Sequence, residues 1–271
     1  MNIPREGFRI RDPYILPYQG EYLLYASYPE GNGFAYFKSK DLSSFEGPFP
    51  CYEAKSGQGR NLFWAPEVHE YRGSYYLFAS SERDSRYRGV LLAKSSSPYG
   101  PFEFLGFLTP DRQNCIDGTL FLENGKPHLI YVHEWVDLVD GEMLVLPLQE
   151  DLLPEEEPTL LFKASSAPWV GRISRGGLIT DGPFLYQDKG GVSMLWSSFD
   201  QKQVYRVGRA HAPSLFGPWA QEEKPLYNLD GGHPSLFHRG DETWVAFHGP
   251  NEDQKERLFA FPYSKQDLNF Y

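Results

Sequence analysis

An all-β fold is predicted for this 271-residue chain from three features. Apolar runs are short, alternate with polar residues and end at Gly, Pro, Asn or Asp, while 3.6-residue periodicity is scarce. Aromatic residues make up 16% of the chain, with Tyr and Phe dominant, a bias that favours strands. The third feature is internal repetition, with a period of about 50 residues and three to four antiparallel strands per unit. Five such units predict a five-bladed β-propeller filling residues 1–271 as one domain. A stacked solenoid would require polar capping repeats, whereas the end units here resemble the middle ones.

The repeats align as follows. "RDPYILPYQGEYLLYAS" begins at Arg11, "WAPEVHEYRGSYYLFAS" at Trp64 and "IDGTLFLENGKPHLIYVHE" at Ile116; "TDGPFLYQDKGGVSMLWSS" begins at Thr180 and "GHPSLFHRGDETWVAFHG" at Gly232. Each has a polar residue beside Pro or Gly, an apolar strand, a turn, and a second apolar strand ending in Ser, His or Ala. Anchored on Asp12, Ala65, Asp117, Asp181 and His233, they start 53, 52, 64 and 52 residues apart. Third strands and edge segments follow, among them "FAYFKSKDLSSFEGPF", "GVLLAKSSSPYGPFEF" and "RLFAFPYSKQDLNF". The blades so defined span about 8–58, 60–110, 113–165, 175–228 and 230–271.

Propeller geometry turns this alignment into a site. The first strand of every blade lines the central channel, so the five anchors form a ring around one mouth. The second strand runs back to the same rim, which brings Ser27, Ser81, His133, Glu134, Ser198 and His248 towards the ring. Trp196, Trp219 and Trp244 recur within blades and are expected in inter-sheet core.

Bulk properties narrow the ligand. A formal net charge of −10 disfavours nucleic acid and acidic membrane surfaces. The N-terminal stretch "MNIPREGFRIRDPY" has no apolar leader segment, and no run of 18 apolar residues occurs, so the chain as read predicts a cytoplasmic protein. Cys51 and Cys115 form neither a disulfide framework nor a metal-ligand spacing. A neutral ligand is the expected partner, with no protein partner predicted.

Three Asp residues on different blades converging on one pocket are costly in a purely structural role, because like charges repel and desolvate one another. Each alone could be a turn residue bonding local N–H groups. Paired carboxylates in an aromatic pocket without a phosphate loop point instead to glycoside hydrolysis. No HExxH spacing, G-x-S-x-G elbow or P-loop is present.

At these residues the chain resembles the family 43 glycoside hydrolases, five-bladed propellers acting mainly on arabinans, arabinoxylans and xylo-oligosaccharides. The resemblance implies that Asp12 of "RDPY" is the general base and that Asp117 of "CIDGTLF" tunes the pKa of the acid. It implies that "FWAPEV", with Phe63, Trp64 and Glu67, lines the sugar pocket. His233 of "GGHPSLF" resembles a channel-axis His that in some members contacts calcium or its waters, so the resemblance implies no required cofactor and admits a calcium in the central channel at His233. Arg257 loosely matches an Arg that reaches substrate.

The chain departs from the family in blade 4, where Thr-Asp-Gly-Pro replaces the usual Glu-Gly-Pro. Asp181 is one methylene shorter than the family's acid, about 1.5 Å of reach. Three readings follow: Asp181 is the acid, Glu134 of "VHEW" supplies the proton, or the pocket binds sugar with little catalysis. Trp64 and Trp135 are candidates for stacking on a sugar face, with core packing as the competing role. His133, Glu134 and Ser198 complete the expected substrate contacts. The expected activity is inverting, exo-acting removal of arabinofuranosyl or xylosyl units, with water between carboxyls roughly 6.5–9.5 Å apart. A related five-bladed enzyme on other glycosides is the further alternative.

Overall fold

The computed structural model describes residues 2–4, 7–27 and 31–263, and within them five antiparallel sheets succeed one another along the chain. Blade 1 contains Asn2–Pro4 (β1), Arg11–Tyr18 (β2), Glu21–Ser27 (β3), Gly33–Ser39 (β4) and Ser44–Glu53 (β5). Blade 2 runs from Trp64–Tyr71 (β6) through Ser74–Glu82 (β7) and Arg88–Ser95 (β8) to Glu103–Phe107 (β9). Blade 3 comprises Cys115–Glu123 (β10), Lys126–His133 (β11), Glu142–Pro147 (β12) and Thr159–Lys163 (β13). Blade 4 comprises Asp181–Asp188 (β14), Gly191–Phe199 (β15), Tyr205–Ala212 (β16) and Ala220–Gln221 (β17). Blade 5 has Gly232–Arg239 (β18), Glu242–Gly249 (β19) and Arg257–Pro262 (β20) among the described residues. This is the five-bladed β-propeller expected from the repeats. The tail of "RLFAFPYSKQDLNF" from residue 264 lies outside the described residues.

One element differs from the sequence reading, which began blade 1 at residue 8. Strand β1 adds to the outer edge of that blade, pairing Asn2 with Glu46 and Pro4 with Ser44. Among the described residues, no helix is long and apolar enough to cross a membrane.

The apolar faces of the sheets are buried against one another in five interblade cores. Tyr25 and Leu77 anchor the core of blades 1 and 2, and Phe78 and Tyr131 that of blades 2 and 3. Val132 and Trp196 meet between blades 3 and 4, and Leu195 and Phe247 between blades 4 and 5. Leu24 and Ala246 close the circle between blades 5 and 1. Trp196 is fully buried, as expected, while Trp219 and Trp244 pack against cores from half-buried positions. Ion pairs reinforce the closure: the buried Glu256 accepts from Arg9 Nε at 3.2 Å and from Arg11 Nη1 at 3.0 Å.

Every first strand carries the same irregularity near its start. Pairing jumps from Arg11↔Ser27 to Tyr14↔Tyr25, so two residues of β2 oppose one of β3. The jump recurs after Trp64↔Ser80, Ile116↔Val132, Asp181↔Ser197 and Gly232↔His248. These are β-bulges, which bend a strand and re-aim the side chain at the bulge. The first bulged residue is left-handed in all five blades: Asp12 (φ 52°), Ala65 (46°), Asp117 (56°), Gly182 (51°) and His233 (59°). Asp and His tolerate this region better than most residues and glycine enters it freely, so only Ala65 is chemically unexpected. Pro13, Pro66, Pro183 and Pro234 follow, at bulge positions where a missing N–H costs no ladder bond.

The bulges correct the alignment. In blade 4 the position equivalent to Asp12 and Asp117 belongs to Gly182, while Asp181 stands one residue earlier, level with Arg11, Trp64, Ile116 and Gly232. The second-strand partners shift likewise. Ser27 and His248 hold the expected places, but Ser80, Val132 and Ser197 take those expected for Ser81, His133 and Ser198. A one-residue slip moves a strand side chain to the opposite face.

These partners knit the blades together. Each bulge N–H is directed at the preceding blade: Ala65 N donates to Ser27 Oγ (2.8 Å), Asp117 N to Ser80 Oγ (2.8 Å) and His233 N to Ser197 Oγ (2.8 Å). Asp12 N donates to His248 Nδ1 (3.2 Å), which closes the ring. Blade 3 presents Val132, which has no acceptor, and there Gly182 N donates to the Asp117 carboxylate instead (Oδ2, 2.9 Å). A buried N–H left without an acceptor costs about 1–3 kcal/mol. Ser80→Ala and Ser197→Ala should each destabilise by about that amount. Urea denaturation should show a lowered midpoint with an unchanged slope.

Candidate active site

One cavity of about 610 Å³ opens at the bulge end of the channel, and its wall includes Asp12, Asp117, Asp181, Glu134, His233 and Tyr205. Two tiers of side chains build it. The bulge tier supplies Asp12, Asp117 and His233, and the residue before each bulge supplies Arg11, Trp64, Ile116 and Asp181. Asp12 and Asp117 are 9% and 8% exposed, and Asp181, one tier nearer the mouth, is more open. Deeper in the channel, Tyr14 packs against His69 (5.2 Å between ring centroids) and Phe184 (6.5 Å). Aromatic rings thus pack the channel beneath the site.

The carboxyls differ in their surroundings. Asp12 accepts a 2.5 Å hydrogen bond from Ser27 Oγ, the hydroxyl that also accepts from Ala65 N. His233 Nδ1 lies 3.3 Å from Asp12 Oδ1 and 3.8 Å from Asp117 Oδ2. Burial alone would raise the pKa of Asp12, but His233 and Arg11 overcome it and hold the group at about 2. Asp117 is pushed up by burial and then by the Asp12 charge, against the pull of His233. Asp181 is raised well above the usual carboxylate range, first by burial and then by Asp117 beside it; the Tyr205 hydroxyl, which donates to Oδ2 at 3.0 Å, opposes the rise.

Glu134 shares the pocket but is otherwise engaged. Arg88 Nε donates to its Oε2 at short range, and the same guanidinium sits 6.0 Å from the Trp64 ring. Burial pushes Glu134 up to about 7 in spite of Arg88. His248 is lowered to about 4 by burial, so it is neutral at neutral pH. Its Nδ1 accepts from Asp12 N, which leaves Nε2 to donate to Asn251 Oδ1 at 3.2 Å.

Of the expected sugar contacts, Phe63, Trp64, Glu134, Trp135 and His233 line the cavity. Trp135 opens a short helix, Trp135–Leu138 (α1), and its ring packs against Gly177, where an added Cβ would come within 2.2 Å of it. Four expected residues do not line it. Glu67 is buried and pairs with His69 Nε2 at 2.8 Å. His133 faces Asp137 and Glu142. Ser198 donates to Ile179 O at 2.6 Å, since strand alternation turns Ser197 towards the ring instead. Arg257 donates to the carbonyls of Glu256 and Gln254, and Arg9, Arg11 and Arg60 line the cavity in its place. Arg11 was visible in "RDPY" but carried no assigned role, and nothing in the sequence marked Tyr205.

Calcium takes six to eight oxygen ligands. Among the described residues no group of three His, Cys, Asp or Glu is disposed to hold a metal ion, and the Nδ1 edge of His233 faces two carboxylates. The residues present do not form a protein-built calcium cage at His233.

Residues 4–260 match Glycosyl hydrolases family 43. The chain belongs to this family. It is 38% identical to the endo-arabinase from Bacteroides thetaiotaomicron VPI-5482, with a TM-score of 0.91 and 98% of each chain covered. An endo-1,4-beta-xylanase from the same organism is 27% identical, with a TM-score of 0.80 over 96% of this chain and 93% of that one. The extracellular endo-alpha-(1->5)-L-arabinanase 1 of Bacillus subtilis (strain 168) is 24% identical over 216 residues, 75% of this chain. The match spans 62% of that curated relative's length. Family membership places the chain among the glycoside hydrolases.

The geometry makes Asp117 both a hydrogen-bond acceptor and a charge. Asp117→Asn keeps an acceptor for Gly182 N and removes the negative charge that raises Asp181. The Asp181 carboxyl should therefore titrate at lower pH by carboxyl carbon-13 NMR, while thermal unfolding changes little. Asp117→Ala also orphans the Gly182 N–H and should lose about 1–3 kcal/mol of stability as well.

Proposed function

We propose that the protein hydrolyses arabinofuranosyl linkages of arabinan-type oligosaccharides with inversion of configuration, Asp12 acting as general base and Asp181 as general acid. The observation that carries the reading is the contrast in surroundings of two carboxyls of one pocket: His233, Arg11 and the Ser27 hydroxyl draw the pKa of Asp12 down, while burial beside Asp117 pushes that of Asp181 well up. An inverting hydrolase needs one carboxylate to take a proton from water and one acid to give a proton to the departing oxygen.

In this mechanism the sugar sits against Trp64, Phe63 and Trp135. Asp12 removes a proton from a water that attacks the anomeric carbon from one face. Asp181 protonates the glycosidic oxygen on the other face as the bond breaks. Asp117 keeps that proton on Asp181 until the leaving oxygen requires it, because two adjacent buried carboxyls resist ionising together. Glu134 is a poorer donor than Asp181, since its hydrogen bond from Arg88 favours the ionised form.

The arabinan preference draws support from the 38% identical endo-arabinase. Trimming of terminal arabinofuranosyl or xylosyl units is the second reading. Arabinohexaose digests separate the two: mid-chain cleavage gives a ladder of shorter oligosaccharides, and terminal trimming gives monosaccharide from the start. Proton NMR of the first-formed anomer should show inversion.

Asp12→Asn should lower kcat by roughly 10²–10⁴-fold with the fold intact. Full activity in that variant would remove Asp12 from the mechanism. Oligosaccharide binding by calorimetry with no turnover in the wild-type protein would identify a sugar-binding propeller instead.

The pH profile follows from the same assignments. Asp12 stays ionised down to about pH 2, so no acid limb near pH 4 should belong to it. Activity should fall as pH rises through the raised pKa of Asp181, because the acid is lost there.

A further inference from the structure

Tyr205, the first residue of β16, has a place in the site that neither its position in the repeat nor the mechanism above explains. Its ring is 2% exposed and stands between the acid and the blade 5 closure. On one side it stacks on His248, with centroids 5.8 Å apart and planes 21° apart. On another it packs on Gly232, where a Cβ would come within 2.3 Å of Tyr205 Cε1. Its backbone is fixed too: its N–H donates to Asp230 Oδ1 (3.3 Å) and its carbonyl accepts from Gly231 N (3.0 Å). A ring held between His248 and Gly232 on a fixed backbone delivers its hydroxyl to one point, 3.0 Å from Asp181 Oδ2.

That hydroxyl has one proton to give, and Asp181 is its hydrogen-bond partner among the described residues. A buried O–H that only accepted would leave its own proton unbonded, a costly arrangement. The phenol therefore donates, and Oδ2 is the acceptor. In a protonated carboxyl the carbonyl oxygen is the better acceptor, so the transferable proton is carried on Oδ1.

We infer that Tyr205 is the positioning residue of the general acid, fixing the rotamer of Asp181 and reserving Oδ1 as the oxygen that delivers the proton. The inference rests on the reading of Asp181 as the acid. It gives the short side chain a physical rationale: Asp has one fewer rotatable bond than Glu, and a single hydrogen bond to one oxygen then suffices to orient the other. The same bond serves the second half of the step. When Oδ1 gives up its proton, the phenol is already donating to the carboxylate that forms, and charge-assisted bonds of this kind are stronger than neutral ones.

The test compares wild type, Tyr205→Phe and Asp181→Asn on phenyl and 4-nitrophenyl glycosides of arabinofuranose and arabinobiose. A 4-nitrophenolate departs with little protonation, whereas phenolate needs the acid. Tyr205→Phe should lower kcat on the phenyl glycosides roughly 10- to 100-fold, with a smaller loss on the 4-nitrophenyl glycosides and KM nearly unchanged. Its alkaline limb should move to higher pH, because the lost hydrogen bond favoured the ionised acid. Replacing Tyr205 with 3-fluorotyrosine, a more acidic donor with the ring kept in place, should move the limb the other way. Equal losses on both leaving groups with an unmoved limb would mark Tyr205 as structural and overturn the inference, as would unchanged kinetics. Asp181→Asn separates the two levels. If it retains phenyl glycoside activity, the acid reading fails and the inference with it; if it loses that activity while Tyr205→Phe is silent, the inference alone fails.

Discussion

The site depends on a ring of backbone hydrogen bonds, in which the bulge N–H of every blade reaches an acceptor on the blade before it. In four blades the acceptor is a serine hydroxyl or an imidazole nitrogen: Ser27, Ser80, Ser197 and His248. In the fifth it is the Asp117 carboxylate, because Val132 occupies the position where an acceptor would stand. That exchange places a second carboxyl beside Asp181. The contact that joins blade 3 to blade 4 is also the contact that brings the Asp117 carboxylate against the residue following Asp181.

The rest of the electrostatics follows from this ring. The bulges point Asp12, Asp117 and His233 inward, and burial there penalises every charge. Asp12 escapes the penalty because His233, Arg11 and the Ser27 hydroxyl favour its ionised form. Asp181 is buried beside Asp117, and both effects push its pKa well above the usual carboxylate range. Two residues of one type thereby have their pKa values pushed apart in one cavity, which is the asymmetry glycoside hydrolysis needs.

Much of this was legible in the sequence. The five repeats and their Pro and Gly residues led to a propeller, and inward first strands led to a shared pocket holding Asp12, Asp117, Asp181 and Glu134. What escaped was register. "SS" at 80–81 and at 197–198 offers two equivalent hydroxyls, and only the strand pairing decides which one turns inward. "TDGP" invites alignment of its Asp with the other Asp residues, although the left-handed bulge falls on Gly182 and sets Asp181 one tier higher. His133 was drawn from rim proximity and Arg257 from a loose family match, and neither fixes side-chain direction. Tyr205 was invisible because its role arises from packing across two blades, a relation no local pattern encodes.

The central claim is the opposed protonation of Asp12 and Asp181, and carboxyl carbon-13 NMR reads it directly. With aspartate labelled at the side-chain carboxyl, and signals assigned through single Asp-to-Asn variants, each group can be titrated in the intact enzyme. The account predicts that the Asp181 carbon shows the protonated shift at pH 7, while the Asp12 carbon shows the ionised shift down to the lowest pH at which the fold persists. An Asp181 signal already ionised at pH 7, with a midpoint near 4, would contradict it.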